Sequence, residues 1–189
     1  NPLEQFNVWF QIAIDAEVNE ANAMAISTIS EEGTPRSRYV LFKDIVDNKL
    51  VFYSDYESSK GREMENNPNI SGLFFWPELH RQIRLEGVVS KTSDEVSDNY
   101  FASRPRGAQL SAIASSQSTE IEGRETVEDR IKELEIEFEG KDIPRPDNWG
   151  GYAIDISFWE FWQGRRSRTH DRFIYVKNDN SWEITRLSP

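Results

Sequence analysis

The 189-residue chain contains no cysteine and only two histidines, His80 and His170. The lack of cysteine excludes disulfide bonds, thiolate metal sites and catalysis by a cysteine nucleophile. Two histidines cannot form a metal site that needs several imidazole ligands. No apolar run approaches the roughly 20 residues of a membrane-spanning helix, and no secretory signal peptide is visible. We therefore expect a cytoplasmic protein with no metal centre and no membrane partner.

The chain also lacks the glycine-rich GxGxxG and P-loop spacings with which many proteins bind nucleotides. Its formal net charge of -11 and isoelectric point near 4.7 argue against a nucleic-acid partner, because such proteins need a basic face. No nucleophile-elbow motif supports a Ser-His-Asp triad, although composition alone does not exclude one. Binding of a small anion in a local basic pocket stays open as an alternative.

The apolar periodicity predicts a mainly β protein with flanking helices. Residues 2–16 have the helical spacing of an amphipathic first helix, and a helical insert is predicted at about 93–140. A shorter helix is predicted at 58–67. The segments with strand patterns are 23–30, 36–43, 50–54, 70–76, 82–91, 152–156, 158–163, 172–177 and 181–186. We expect seven or eight mostly antiparallel strands in a closed or nearly closed barrel, with the helices outside it.

Positive charge is concentrated in five short segments of this acidic chain. They are residues 36–43, 58–62, 80–84, 100–106 and 162–172. In the last segment, four arginines and His170 fall within eight residues. Any one segment alone is most simply a solvated basic surface. Together they predict that the protein binds anionic groups, because the arginine guanidinium matches phosphate and carboxylate oxygens.

Two phosphate sites are predicted from these segments. At the first, Ser58 to Lys60 open a helix and offer backbone N–H groups, hydroxyls and a cation, and Arg38 could reach the same place from a strand. At the second, Tyr100 and Arg104 are four residues apart and would share one face of a helix. Gln117 and Ser118 offer further neutral donors.

The order and spacing of these motifs resemble the pyridoxamine/pyridoxine 5'-phosphate oxidase family. The resemblance covers nearly the whole chain. It is carried by RYVLFK at 38–43, VFYS at 51–54, YFASRPR at 100–106, QS at 117–118, FWQG at 161–164 and RTHDR at 168–172. It implies an antiparallel split β-barrel of the FMN-binding type, in which residues 1–189 form a single domain. It also implies a homodimer with FMN at the subunit interface.

By position, the resemblance also implies the roles of individual residues. FMN would be bound by Arg38, Tyr39, Val40, Leu41, Phe42, Lys43, Tyr53, Ser54, Ser59, Lys60, Gln82, Gln117, Ser118, Trp162 and Arg172. The substrate would be bound by Lys43, Tyr100, Arg104, Arg168 and His170. Arg168 and His170 would be the catalytic residues, since they would lie against the pyridine ring and its reacting substituent.

The chain departs from the family pattern at two positions. Ser59 stands where the family commonly has arginine, so one cation near the FMN phosphate is lost. Ala108 stands where the family commonly has a serine near the substrate phosphate. Arg62 and Arg106 are the neighbouring cations that could compensate.

The activity that the resemblance implies is FMN-dependent oxidation of pyridoxamine 5'-phosphate or pyridoxine 5'-phosphate to pyridoxal 5'-phosphate, with O2 reduced to hydrogen peroxide. This reaction belongs to vitamin B6 metabolism. Two alternatives stay open: another split-barrel flavin oxidoreductase, and a non-catalytic protein that binds FMN or pyridoxal phosphate. The oxidase is favoured because Tyr100, Arg104, Arg168 and His170 are all present.

Overall fold

A computed structural model describes residues 1–179 and 181–189. The α-helices are α1 Pro2–Asp15, α2 Ser59–Asn66, α3 Asp94–Ser103, α4 Arg106–Ala114 and α5 Arg124–Glu137. The strands are β1 Ala23–Ile29, β2 Pro35–Val46, β3 Lys49–Asp55, β4 Asn69–Trp76, β5 Arg81–Lys91, β6 Trp149–Gln163, β7 Asp171–Asn178 and β8 Ser181–Leu187. Thus α1 corresponds to the helix predicted over residues 2–16, and α3 to α5 lie within the predicted insert. That residues 1–189 form one domain stays a prediction.

Six antiparallel strands close into a barrel. The sheet order is β3-β2-β1-β4-β5-β6, and β6 pairs back with β3 to complete the ring. Strands β7 and β8 continue the same sheet beyond β6 as an antiparallel hairpin. The predicted antiparallel barrel with flanking helices is therefore confirmed.

Strand β6 is one continuous strand, whereas the sequence pattern predicted two strands at 152–156 and 158–163. The register against β5 shifts between Glu86 and Gly87, so the extra residue Ser157 is absorbed in a bulge. A Cβ atom at Gly87 would lie 2.3 Å from the carbonyl oxygen of Asp155. This close approach requires glycine, and it lets pairing continue through a segment whose alternation is interrupted.

The barrel is split beside β2. Residues 35–41 of β2 pair with β1, whereas pairing with β3 begins only at Phe42. Along this stretch the second edge of β2 has no strand partner among the residues that the structure describes. The register with β3 shifts between Phe42 and Asp44, which places Lys43 in a bulge. Bulges of this kind re-aim a side chain, and they are common beside active sites.

Two apolar clusters hold these elements together. The first fills the barrel, and α1 closes one end of it by packing Phe6 against Phe42, Phe74 and Trp159, with ring centroids 5.3–5.5 Å apart. The second lies between the helical insert and the start of β6 and comprises Phe101, Leu110, Leu134, Ile143 and Trp149. None of the helices in the described part of the chain is long and apolar enough to cross a membrane. The cytoplasmic location stays a prediction.

Candidate active site

The ammonium group of Lys60 is buried at the split in the barrel. Its Nζ atom donates to Ser54 Oγ (2.9 Å), Gln117 Oε1 (2.8 Å) and Ser58 Oγ (3.2 Å). It forms no salt bridge with any described carboxylate. Burial, together with the positive charge of Arg38, lowers the pKa of Lys60 to about 8. A buried cation whose partners are all neutral is suited to an added anion, because an anion would compensate its lost hydration.

A buried carboxylate, Glu63, gathers two arginines close to Lys60. Arg38 Nη2 lies 2.8 Å from Glu63 Oε2, and Arg36 Nη1 lies 3.1 Å from Oε1. Burial opposes ionisation of Glu63, but hydrogen bonds from Thr28 and Arg38 outweigh it and lower the pKa. Arg36 also lies 3.6 Å from Glu32, and Asp55 opposes the lowering of the Lys60 pKa, so acidic groups offset these cations in part. The predicted FMN ligand Arg38 is thus near Lys60 but already paired.

The two departures from the family pattern lie at separate places. Ser59 lines a cleft of about 190 Å³ together with Arg36, Arg62 and three carboxylates, Glu31, Glu32 and Glu63. Arg36 is paired with Glu63, and Arg62 donates to the carbonyl oxygen of Glu57. The other candidate, Arg106, donates to the carbonyl oxygens of Lys141 and Phe138 in the helical insert. None of these cations is therefore free to replace the lost charge at Ser59.

A second cleft, of about 400 Å³, brings the predicted ligands of the substrate phosphate together. It is lined by Leu41, Lys43, Tyr53, Tyr100, Ser103, Arg104, Pro105, Ala108 and Trp149. Arg104 follows the last residue of α3 in an extended conformation, so it is not on the helix that the sequence suggested, yet it reaches the same cleft as Tyr100. We call Lys43, Tyr100 and Arg104 the cleft triad.

The side chains of the cleft triad have no hydrogen-bond or salt-bridge partner in the part of the chain that the structure describes. Arg104 forms no salt bridge there, and its Nη1 atom is buried without a hydrogen-bond partner. Burial lowers the pKa of Arg104, and Tyr100 opposes this effect. Lys43 in the β2 bulge likewise forms no salt bridge there. Three unpaired donors around one cleft, with no carboxylate paired to them, form a candidate anion site.

Stacked aromatic rings support this cleft. The Tyr53 and Tyr100 rings are 3.7 Å apart and nearly parallel at 11°. Trp149 is stacked with both, at 5.6 Å from Tyr53 and 6.2 Å from Tyr100. Burial, together with the neighbouring Tyr100, raises the pKa of Tyr53 to about 12. The stack therefore restrains both phenol rings beside the cleft.

Gln82, Trp162 and Arg172 lie side by side across β5, β6 and β7. The register pairs Gln82 with Trp162 and Trp162 with Arg172. Arg172 Nε donates to the buried Glu160 Oε1 at 2.7 Å, and Arg84 Nη2 lies 3.2 Å from Oε2 of the same carboxylate. The hydrogen bond to Glu160 raises the pKa of Arg172. Glu160 thus fixes Arg172 next to Trp162.

Arg168 and His170 lie in the turn between β6 and β7. Arg168 has a positive φ of 61°, a strained conformation for a residue with a side chain. His170 Nδ1 accepts a hydrogen bond from the Arg165 backbone N–H at 3.1 Å, and its ring lies 4.6 Å from that of Trp162. Arg165 is paired with Asp171 at 2.7 Å. The turn therefore places His170 beside Trp162, with Arg168 two residues before it in the same turn.

The structure groups the predicted residues at opposite ends of β6. Ser54 pairs with Gly150 near the first residue of the strand, and Trp162 is its penultimate residue. From Gly150 to Trp162 the strand advances 12 residues, which at about 3.3 Å per residue is at most roughly 40 Å. Within one chain Tyr100 and Arg104 line one cleft and His170 lines another.

The remaining predicted residues occupy positions that limit what their side chains can contact. Val40 and Phe42 face the barrel core, so only their backbone groups can meet a ligand. Tyr39 and Leu41 alternate with them and are exposed at 74% and 41%. Ser118 follows α4 in a left-handed conformation, with φ at 70°.

Sequence reasoning did not single out three residues that shape these sites: Glu63, Glu160 and Trp149. Glu160 had a detectable signal, because a carboxylate within the aromatic run 158–162 needs a cationic partner once buried. Trp149 precedes two glycines, which favours a close backbone approach. Nothing in the local sequence of Glu63 marks its role, since its partners come from β1 and β2.

Two family models match the chain. The model described as pyridoxamine 5'-phosphate oxidase matches residues 10–137. The model described as the pyridoxine 5'-phosphate oxidase C-terminal dimerisation region matches residues 149–189. The second match contains β6 to β8, and so includes Trp162, Arg168, His170 and Arg172.

Curated relatives match along the whole chain. A pyridoxine/pyridoxamine 5'-phosphate oxidase of Burkholderia mallei (strain SAVP1) is 50% identical, over 100% of this chain and 89% of the relative. The protein of the same name from Cyanothece sp. (strain PCC 7425 / ATCC 29141) is 47% identical, with the same shares covered. The similarity is therefore not confined to one segment.

Solved structures share the fold. PhzG from Burkholderia lata 383, in complex with tetrahydrophenazine-1-carboxylic acid, superposes with a TM-score of 0.95 at 31% identity and covers 100% of this chain and 93% of its own. A pyridoxamine 5'-phosphate oxidase-related, FMN-binding protein from Nostoc punctiforme superposes with a TM-score of 0.80 at 16% identity, over 100% of this chain and 98% of its own. At 16% identity this second similarity shows only that the fold is shared.

Proposed function

The chain belongs to the pyridoxamine 5'-phosphate oxidase family, and on that premise we propose that it oxidises pyridoxamine 5'-phosphate or pyridoxine 5'-phosphate to pyridoxal 5'-phosphate. It is an oxidoreductase of the pyridoxamine phosphate oxidase type. FMN is its cofactor. The electron acceptor of the proposed reaction is O2, which is reduced to hydrogen peroxide. With the amine substrate, one water is consumed and ammonia is released.

The observation that carries this proposal is the cleft triad. Its unpaired hydroxyl and cationic groups converge on a cleft of about 400 Å³, and Arg104 has a buried Nη1 atom without a partner. A dianionic phosphate ester satisfies such a set of donors, whereas an uncharged substrate would leave them unpaired. The cleft therefore favours a phosphorylated substrate.

The cluster around Lys60 fits the phosphate of FMN. Its buried ammonium has only neutral partners, namely Ser54, Ser58 and Gln117, and Arg38 adds positive charge nearby. We assign FMN phosphate to this cluster, with Gln82, Trp162 and Arg172 facing the flavin ring. When bound, FMN supplies the two-electron acceptor for oxidation of the C–N or C–O bond at the carbon attached to the pyridine ring.

We propose that the active unit is a homodimer with FMN at the subunit interface. Two observations support it: residues 149–189 match a dimerisation region, and the two groups of predicted ligands lie at opposite ends of β6. A second copy would supply Trp162, Arg168, His170 and Arg172 to the cleft triad of the first. Each site would then be complete only in the dimer.

The proposed roles of Arg168 and His170 are to orient the substrate. The Trp162 ring and the hydrogen bond to Nδ1 fix the imidazole of His170, which leaves Nε2 for the substrate. Arg168 has no described carboxylate partner, so its guanidinium can contact the pyridine ring or its substituent. Holding the reacting carbon in place accounts for these residues without assigning them a proton transfer.

The test is direct. The purified protein is loaded with FMN, its visible flavin spectrum is recorded, and pyridoxamine 5'-phosphate is added under air. We expect pyridoxal 5'-phosphate and hydrogen peroxide in equal amounts. A protein that binds FMN and the substrate but forms no product would support the non-catalytic alternative, and one that cannot be loaded with FMN would contradict the proposal.

A second candidate substrate is a tricyclic carboxylic acid, because the structure of PhzG that superposes so closely contains tetrahydrophenazine-1-carboxylic acid. A carboxylate could contact Arg104, but as a monoanion it would leave part of the cleft triad unsatisfied. Assaying this acid in parallel with pyridoxamine 5'-phosphate separates the two functions. We expect the phosphate ester to be the better substrate.

A further inference from the structure

Trp149 contacts two members of the cleft triad, Tyr100 and Arg104. It is the first residue of β6, is only 7% exposed, and lines the cleft with Arg104 and Tyr100. Its ring is parallel to that of Tyr100 within 6°. No sequence pattern assigned it a role, and the proposed reaction does not use it directly.

The indole of Trp149 also forms a cation–π contact with the guanidinium of Arg104. The guanidinium carbon of Arg104 lies 4.5 Å from the Trp149 ring centroid and 5.8 Å from that of Phe101. Within the described residues no carboxylate pairs with Arg104. An aromatic face attracts a cation without occupying its N–H donors. The arginine is thus held in place while its donors stay available.

We propose that Trp149 is a positioning residue for substrate phosphate, holding Arg104 in the geometry that receives the dianion. This inference rests on the proposed function, because the dianion is that of the B6 phosphate substrate. A carboxylate in place of the indole face would fix Arg104 equally well but would neutralise it. An aromatic support fixes the arginine and leaves its charge for the ligand.

The plain alternative is that Trp149 only fills the second apolar cluster. Its ring packs edge-to-face against Phe101 at 5.2 Å, as a core residue would. A core role predicts that substitution loosens the insert and weakens every ligand alike. A positioning role predicts that substitution weakens only ligands with a phosphate, and only while Arg104 is present.

The experiment measures equilibrium binding to the FMN-loaded protein by calorimetry. The probe is 4'-deoxypyridoxine 5'-phosphate, which lacks the group that is oxidised, and its matched control is 4'-deoxypyridoxine. The variants are Trp149→Leu, which removes the aromatic face, and Trp149→Phe, which keeps a smaller one. Phe138→Leu is the matched structural control, because Phe138 packs on the same cluster but does not line the cleft.

We expect Trp149→Leu to weaken binding of the phosphorylated probe about 10-fold and Trp149→Phe about 3-fold. Binding of the unphosphorylated probe and the FMN content should be unchanged. In an Arg104→Ala background both Trp149 substitutions should have less than a 2-fold effect, because a residue that acts through Arg104 has nothing left to position. Phe138→Leu should behave as the wild type.

Equal losses for both probes, or an undiminished effect in the Arg104→Ala background, would overturn the inference. If Trp149→Leu does not fold, Trp149→Phe and its combination with Arg104→Ala decide the question alone. A wild-type protein that does not bind the phosphorylated probe would overturn the proposed function as well. Wild-type binding with an unaffected Trp149→Leu variant would overturn only the role of Trp149.

Discussion

The cleft triad and the arginine-rich segment 165–172 both carry concentrated positive charge, but they balance it in different ways. In the segment, Arg165 is paired with Asp171 at 2.7 Å and Arg172 with Glu160 at 2.7 Å. In the cleft, Arg104 is supported by an indole and has no described carboxylate partner. The segment is richer in arginine, yet two of its four arginines are already paired with carboxylates, whereas Arg104 in the cleft is not.

The difference shows that the partner of an arginine, and not the local density of arginines, marks an anion site. A paired guanidinium has already exchanged its water for a carboxylate, so an incoming anion gains little from it. An unpaired one that is partly buried gains a strong hydrogen bond from the ligand. Substitutions can therefore rank these arginines by the availability of their charge.

The largest effect is expected for Arg104→Ala. With pyridoxamine 5'-phosphate as substrate, kcat/KM should fall about 100-fold, since removing a charged hydrogen-bond donor costs about 1.5–3 kcal/mol and part of the stack is lost as well. The matched control is Arg165→Ala in the basic segment, for which we expect less than a 3-fold change. Comparable losses in both variants would break the distinction between the two regions.

The next largest effect is expected within the basic segment itself, at Arg168. Arg168 and Arg166 have no carboxylate partner among the described residues, but only Arg168 is assigned to the substrate. Arg168→Ala should lower kcat about 30-fold with a smaller change in KM, because a misplaced reacting carbon slows the chemical step. Steady-state kinetics of Arg168→Ala and Arg166→Ala test this, and a larger loss in Arg166→Ala would reverse the assignment.

Lys60 extends the comparison to FMN. Like Arg104, it forms no salt bridge with a carboxylate among the described residues. We expect Lys60→Met to raise the FMN dissociation constant about 20-fold, which corresponds to the loss of one charged hydrogen bond. Fluorescence titration of the apoprotein with FMN measures it. Arg62→Met, at an exposed position of the same helix, is the control and should change the constant less than 3-fold. An unchanged affinity in Lys60→Met would show that the FMN phosphate binds elsewhere.

The smallest effect is a pH dependence of FMN affinity. Lys60 has a pKa of about 8 in the apoprotein, so its ammonium is charged below that pH and becomes neutral above it. The FMN phosphate remains a dianion throughout, since its second pKa is about 6. The dissociation constant should therefore rise above about pH 8, by less than the roughly 20-fold expected for Lys60→Met, because deprotonation removes the same charge but keeps the side chain. Titrations between pH 7 and 9.5 measure this, and Lys60→Arg should remove the dependence.

Much of the fold could be predicted from the sequence, because strand alternation and helix periodicity are local. The alternation of Ile83, Leu85 and Val89 with polar residues predicted β5, and its burial agrees. The closure of the barrel through β3 and β6 could not be located, since those strands are almost 100 residues apart in the chain. The bulge at Ser157 was not predicted either, because it interrupts the alternation that marks a strand.

The site was also predicted only in part, because its motifs are local in the sequence but the contacts between them are not. The motifs named Lys43, Tyr100 and Arg104, and the structure places all three around one cleft. The sequence did not indicate that Arg104 stays unpaired while Arg165 is neutralised, because the partners depend on contacts between distant segments. Trp149 was not identified from the sequence, because its role depends on stacking with two residues from other elements, Tyr53 and Tyr100.

The most direct test of the central claim is the preference of the enzyme for a phosphorylated substrate. The ratio of kcat/KM for pyridoxamine 5'-phosphate to that for pyridoxamine is measured in the wild type, Arg104→Ala and Arg165→Ala. We expect a large ratio in the wild type, a ratio about 100-fold smaller in Arg104→Ala, and an unchanged ratio in Arg165→Ala. A ratio that stays the same in Arg104→Ala would contradict the assignment of the cleft triad to the phosphate.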